Sequence, residues 1–299
     1  YRVARDNGAD NSKLVNLAAA GAAEIPEHAS DRVNLRRILE RRENQDLVYF
    51  NRVAGRFDSV YGPGRSWQAF GQLLLRLVPE IVVADLGSGE GLLSELLARK
   101  CKRVIAVDNS AKIVKFGQAK AGRNGLANLE FRQGDLQHPP IDDASVDLAI
   151  LSQALHHAEE PAQAIAGAFR ILKPGGVGAV TVPRYWPEKV CWALSDEYHE
   201  VEGGHVRIYK ASELAGKLTQ AGLEVTGTDH AHALHAPYWW LKCAVGTEKS
   251  DHPAVTAYHK LLVWDMMSRP WLTRTAEAAL NPLIGKSVAL YFRKPTADA

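Results

Sequence analysis

Cysteine is scarce in this chain: Cys101, Cys191 and Cys243 are the only three among 299 residues, and they stand far apart. That spacing argues against a disulfide framework and against a Cys-x-x-Cys metal site. It suits a reducing compartment, so a cytoplasmic enzyme is the expectation. Long apolar runs are missing too. None approaches the ~18 residues needed to span a bilayer, and the stretch after Tyr1 lacks the apolar core of a signal peptide. Nor is one charge in excess: 36 basic and 34 acidic side chains leave a net charge of +2. Such a balance gives no whole-molecule field that would gather nucleic acid. Internal repeats and low-complexity tracts are absent as well. What is present, 46% hydrophobic and 23% charged residues, is the composition of an ordinary globular protein. Its length allows one large α/β domain with insertions, or two small domains.

The first 30 residues show little periodicity, although Leu14 to Ala23 reads as a short helix. From Asp31 to Tyr61 the pattern is helical, and Asp31, Glu40 and Glu43 interrupt the Arg32, Arg36, Arg37, Arg41, Arg42 cluster. A solvated helix face explains that cluster better than a nucleic-acid contact does. From residue 81 onward strands and helices alternate. Strands are expected at 81–84, 103–107, 129–132, 146–151 and 177–182, with helices at 92–100, 111–121 and 161–172 between them. Lys173-Pro174-Gly175-Gly176 reads as the stop of the third helix. Nearly continuous apolar strands in a βαβα rhythm predict an α/β fold with a doubly wound, mostly parallel, seven-stranded sheet. Beyond 184 the rhythm loosens into a helix at 212–221 and a strand at 223–228. A Trp- and Met-rich helical stretch at 237–284, broken by Pro253, Pro270 and Pro282, then precedes a last strand at 287–293. The expected organisation is an N-terminal arm (1–44), a core (45–236), a helical cap insertion (237–285) and a last core strand with its tail (286–299).

The residues suited to chemistry fall at the ends of consecutive strands. Asp85-Leu86-Gly87-Ser88-Gly89-Glu90-Gly91 follows the first strand, with Leu92 where a dinucleotide fingerprint would place its third glycine. Glycines let the backbone approach a ligand closely. The carboxylate of Asp85 suits an α-ammonium and would repel a pyrophosphate. Alone, this loop is a weak signal. Asp108, with Asn109, follows the second strand, where a carboxylate can accept from both ribose hydroxyls. Gly134, Asp135 and Leu136 follow the third, where Asp135 is placed to accept from an adenine amino group. Ser152 and Gln153 follow the fourth and would line the reacting end of the ligand. Each aspartate taken singly is as well explained as a helix cap or turn residue. Four suitable groups at four successive strand ends point to a nucleoside site.

These motifs, together with Val146-Asp147-Leu148 and Leu172-Lys173-Pro174-Gly175-Gly176, resemble the ordered motifs of ubiquinone/menaquinone-type class I methyltransferases over roughly residues 45–185. Tyr49-Phe50-Asn51-Arg52-Val53-Ala54 and Leu151-Ser152-Gln153-Ala154-Leu155-His156-His157 are most similar to the methyltransferase half of bacterial ArsR-type regulator fusions. Residues 178–299, with Tyr198-His199 and Tyr238 to Cys243, resemble instead an uncharacterised actinobacterial methyltransferase group. The resemblance implies S-adenosylmethionine as cofactor and a Rossmann-like fold. Residues 1–44 are too few for the winged helix of such a regulator, so nucleic-acid binding is not expected of this chain. The three scattered cysteines do not fit arsenite methylation, which uses paired ones.

Methyl transfer from a sulfonium is an in-line displacement, and the protein's part is alignment and exclusion of water. An acceptor that must lose a proton would also need a base. His156 and His157, close behind the fourth strand, are the candidates, against a reading as loop caps. If His230 lies on a strand, it shares a face with His232 while His235 points away. No metal spacing accompanies them, and no metal is expected. The aromatic stretch at 237–284 favours a small apolar or aromatic acceptor if it covers the site. The alternative is a sensor module of a transcriptional regulator that binds the cofactor without turnover. A small-molecule partner and no membrane span are expected, with a homodimer left open.

Overall fold

The computed structural model describes residues 81–296, apart from 201–206, 250 and 269, together with isolated helical positions at 33, 34, 38 and 48. Two compact units divide the chain, residues 1–48 and 49–299, and the architecture below belongs to the second. The helices read at 14–23 and 31–61 lie outside the described residues, those four positions excepted. So does the arginine cluster.

Seven strands form one sheet in the order β3-β2-β1-β4-β5-β7-β6. They are β1 (Val82–Leu86), β2 (Arg103–Asp108), β3 (Leu129–Gln133), β4 (Val146–Ser152), β5 (Leu172–Pro183), β6 (Glu224–Ala231) and β7 (Ser287–Arg293). Strands β1 to β5 are parallel to one another, and β7 runs antiparallel to both β5 and β6. The expected α/β, doubly wound, mostly parallel seven-stranded sheet is thus the observed fold. Strand order reverses between β1 and β4, which opens a crevice at their carboxyl ends.

Side chains of the central strands alternate between the two faces of the sheet, and both faces are dry there. Val83, Val104, Ala106, Leu148 and Ile150 point to one side, where they pack with Leu93, Leu97 and Ala121. These last three lie on α1 (Leu92–Ala98) and α2 (Ala111–Arg123). Ala84, Ile105, Val107, Ala149 and Leu151 point to the other, against Ile165, Ala168, Leu214 and Leu218. Those four lie on α3 (Pro161–Ile171) and α6 (Ala211–Gln220). Burial on both faces is why these strands read as continuous apolar runs rather than as alternation. At roughly 1.5–3 kcal/mol per fully buried Leu, Ile or Val, these two layers are the main cohesive contribution.

Three details differ from the sequence reading. Strand β5 starts at Leu172, so Lys173 to Gly176 lie inside it instead of terminating a helix. The segment forms an irregularity: Val146 pairs with Leu172 but Leu148 already pairs with Val177. Gly175 takes φ +76° there, and Lys173 reaches Asp147 at 2.8 Å. Second, the loosened stretch after residue 184 is helical, with α4 (Tyr185–Leu194) and α5 (Glu197–Glu200). Third, Pro253 opens α8 (Pro253–Ser268) and Pro270 precedes α9 (Trp271–Ile284), as breakers should, yet Pro282 lies inside α9. With α7 (His235–Val245), these helices form a helical insertion between β6 and β7. Among the described residues no helix is long and apolar enough to cross a membrane.

Candidate functional site

The glycine loop is held by its neighbour strand. Gly87 and Ser88 both donate their N–H groups to the carbonyl of Val107, at 2.8 and 3.0 Å. Gly87, Gly89 and Gly91 all have positive φ, from 55° to 75°, a region that strains other residues. The demands on them differ. A Cβ on Gly87 would lie 2.3 Å from the Cβ of Ala154, and one on Gly91 would lie 2.3 Å from Phe131. A Cβ on Gly89 would meet nothing within 4 Å. Gly87 and Gly91 are therefore needed for packing, whereas Gly89 faces the open space that a ligand would fill.

Two carboxylates converge beneath this loop. Asp85 is 2% exposed and accepts a 2.5 Å hydrogen bond from the Ser94 hydroxyl on α1. Burial pushes its pKa up to about 6, opposed by the Ser94 hydrogen bond and reinforced by the negative charge of Asp108. Asp108 accepts the N–H of Gly89 on Oδ2 and the N–H of Ser110 on Oδ1, each at 3.0 Å. Burial raises its pKa also, against those two hydrogen bonds. Two mutually repelling, desolvated carboxylates create a demand for positive charge. They are the acceptors that a ligand bearing an ammonium and a ribose needs, and they are hostile to a pyrophosphate. An adenosyl sulfonium with an amino-acid tail fits both this chemistry and the open face of Gly89.

The remaining expected positions surround these two. Gly134 donates its N–H to the carbonyl of Asp108 at 3.0 Å, and a Cβ on it would strike Pro140. Leu136 lies beside Gly87, its Cδ2 3.5 Å from where a Cβ would stand. Asp135 is exposed, and its two oxygens accept from the backbone and side-chain amides of Gln137, each at 2.9 Å. Asn109 is exposed too, and its carbonyl accepts from Gln133. The structure therefore brings Asp85, Gly87, Ser88, Gly89, Asp108, Gly134, Leu136 and Ala154 together, with Asp135 and Asn109 turned outward at the rim.

On the other side of the crevice, Ser152 and Gln153 end β4. Gln153 takes φ +51°. A run of hydroxyls then crosses the strand ends: Ser152 Oγ lies 3.2 Å from Thr181 Oγ1, and Gln153 Nε2 donates to Ser287 Oγ at 3.3 Å. Ser287 Oγ lies 3.0 Å from His232 Nδ1. His156 and His157 form a 3-10 turn just behind β4, their ring centroids 4.0 Å apart, with His156 fully buried.

Sequence reasoning named Ser152 and Gln153 but missed Thr181, Ser287 and His232, because the line draws on four separate segments. It also misjudged the later histidines. His232 lies beyond β6 with φ +70°, so strand alternation does not govern it. The resulting turn sets the rings of His232 and His235 5.5 Å apart. Burial holds His232 down to about 3 and His235 to about 4, with the Lys286 ammonium adding to both effects. Both are neutral imidazoles at neutral pH. The two ring nitrogens of His235 are sealed from solvent and meet no partner among the described residues. No group of three or more His, Cys, Asp or Glu that could hold a metal occurs among those residues.

Residues 84–180 match the family model described as a methyltransferase domain. A Mycolicibacterium smegmatis protein named "probable S-adenosylmethionine-dependent methyltransferase" is 32% identical over 49% of this chain and 53% of its own length. The ubiquinone/menaquinone biosynthesis C-methyltransferase of Rubrivivax gelatinosus is 31% identical over 46% of this chain and 56% of its own. The chain thus spans about half the length of these curated relatives. Among solved structures, that of the [4+2]-cyclase SpnF superposes with a TM-score of 0.53 at 23% identity, covering 84% of this chain and 94% of that one. The last likeness concerns the fold alone, which hosts more than one chemistry. Over residues 84–180 the chain is thus similar to a methyltransferase domain, and a protein named as S-adenosylmethionine-dependent is among its relatives.

Proposed function

We propose that the whole protein transfers a methyl group from S-adenosylmethionine to a small, apolar or aromatic acceptor by in-line displacement. The observation that carries this reading is the pair of carboxylates at the glycine loop, the buried Asp85 at its start and the half-buried Asp108 on the Gly89 N–H. In this reading Asp108 accepts from the ribose hydroxyls and Asp85 receives the α-ammonium, directly or through water. Leu136 and Ala154 flank the nucleoside, and Asp135 and Asn109 stand at the adenine rim. The cofactor supplies an electrophilic methyl on a sulfonium. The chain's own residues bind, orient and exclude water.

The acceptor belongs, in this proposal, beyond Ser152 and Gln153, under the insertion of α7 to α9. Trp186, Trp239 and Trp240 supply aromatic surface there, with Trp186 and Trp240 ring centroids 5.6 Å apart. The polar line from Gln153 to His232 fixes the acceptor's orientation. His235 offers a neutral imidazole whose buried nitrogens gain a partner when a polar acceptor atom arrives. Leaving a buried polar group unmade costs about 1–3 kcal/mol, which such binding relieves. His156 or His157 serves as base where the acceptor must lose a proton.

The test is equilibrium dialysis with labelled S-adenosylmethionine, comparing the parent with Asp108→Ala. Hydrogen bonds to a charged group contribute about 1.5–3 kcal/mol, so the variant should bind about 10- to 100-fold more weakly. Unchanged binding would overturn the site assignment.

A further inference from the structure

Two of the three cysteines, remote in sequence, meet in space. Cys191 on α4 and Cys243 on α7 are both buried, belong to one small core cluster with Tyr198, and lie near enough for each thiol to perturb the other. Neither is in a disulfide. The two helices are clamped at this level. Trp240 Nε1 on α7 donates to the carbonyl of Pro187 on α4 at 2.9 Å, and the Tyr198 and Trp239 rings meet edge to face at 5.6 Å. The pairing amends the sequence picture of three scattered thiols.

The cluster contains more than sulfur. Lys286, just before β7, is 6% exposed and shares this region with the fully buried Glu188. Its Nζ donates to Glu188 Oε1, to Tyr198 OH at 2.9 Å and toward Cys191 Sγ at 3.8 Å. Tyr198 OH in turn donates to Glu188 Oε2 at 3.1 Å. A buried ammonium beside one member of a thiol pair differentiates the two. The Cys243 contact, and after it the Lys286 charge, hold Cys191 below the ordinary thiol range, while its partner is pushed well above it. That asymmetry is the pattern of an attacking and a resolving cysteine.

We propose that Cys191 and Cys243 form a peroxide-sensitive dithiol that closes reversibly to a disulfide joining α4 to α7. The Cys191 thiolate attacks one peroxide oxygen, the O–O bond breaks, and water leaves once the departing hydroxide takes a proton, producing a sulfenic acid. The Cys243 sulfur then attacks Cys191 Sγ, the S–O bond breaks, and a second water leaves. Overall two thiols and one hydrogen peroxide yield one disulfide and two waters. Burial selects for a small uncharged oxidant of this kind. The inference does not rest on the methyl-transfer reading, and its assay involves no methyl acceptor.

The experiment treats the reduced full chain with hydrogen peroxide, quenches it, unfolds it in N-ethylmaleimide and reads intact mass and peptide map. The expected product has lost two hydrogens, carries one maleimide on Cys101 and yields a cross-linked peptide pair holding Cys191 and Cys243. Dithiothreitol should restore all three alkylation sites. In Cys243→Ser, peroxide should leave a sulfenic acid on Cys191 that dimedone labels. In Lys286→Met, the oxidation should slow roughly ten-fold; if that variant does not fold, the Cys243→Ser result decides. Three maleimides after peroxide would overturn the proposal. So would a cross-link to Cys101, or Cys191 driven to sulfinic acid with Cys243 still alkylated.

Discussion

At the scale of single residues, Asp85 illustrates how a binding group can weaken the fold that holds it. Its folded pKa, raised to about 6 from 3.8, means that the native state binds a proton more tightly than the unfolded chain does. Stability therefore falls as pH rises from about 4 to about 6, and the cost of the buried charge is fully present above that window. Asp85→Asn should accordingly be more stable than the parent at pH 8, by about 2–3 kcal/mol, and should show a weaker pH dependence between 4 and 6. Urea unfolding at several pH values checks this. The same variant should bind S-adenosylhomocysteine more weakly at pH 8. A variant that loses stability at pH 8 would contradict the account. The strand-end placement of Asp85 and Asp108 was legible in the sequence because apolar runs precede each of them. His235 was not, because its placement follows from the positive φ of His232, which no local pattern signals.

At the scale of elements, Phe131 of β3 is the piece that α1 and α2 close upon. Its ring lies where Cβ atoms on Gly91 and on Gly117 would fall, each 2.3 Å from a ring carbon. Gly117 sits within α2, where alanine would ordinarily favour the helix by about 1 kcal/mol. Overpacking against the ring should reverse that sign, so Gly117→Ala should destabilise by about 1–3 kcal/mol. In a Phe131→Leu background the penalty should shrink, and denaturant melts of the four members of the double-mutant cycle would show it. A purely additive cycle would refute the contact as the cause. The sheet's core strands were readable because burial on both faces leaves apolar runs with turn residues between them. The start of β5 was not: Lys173-Pro174-Gly175-Gly176 carries the residues of a helix stop, yet Val146 pairs with Leu172 and the irregularity absorbs the extra length. Helix α4 was missed for a related reason. Pro187 sits in its first turn, where proline is tolerated but reads as a breaker.

At the scale of the whole molecule, ligand binding should tighten one half of the sheet more than the other. S-adenosylhomocysteine at about 100 times its Kd should stabilise the fold by about 2.7 kcal/mol. Hydrogen exchange should slow in the segments around Leu86–Leu92, Asp108–Ser110 and Ser152–His157, while amides in the β6–β7 pair change little. Protection confined to β6 and β7 would place the cofactor elsewhere. The order of strands has another consequence, one that concerns synthesis. Among the described residues strand β6 lies at the sheet's edge and has β7 as its sole neighbour, yet α7, α8 and α9 are made between the two. At ribosomal speeds of ~5–20 residues per second, the interval from Ala231 to Ser287 lasts roughly 3 to 10 s. Throughout it, the nascent β6 has no ladder to join, and any passing strand could pair with it. Its own residues blunt that risk: Glu224, Asp229 and His230 interrupt the strand with polar groups, and little of it is apolar enough to adhere elsewhere. Polarity that looks like weakness in the finished edge serves as protection while the chain is still being made.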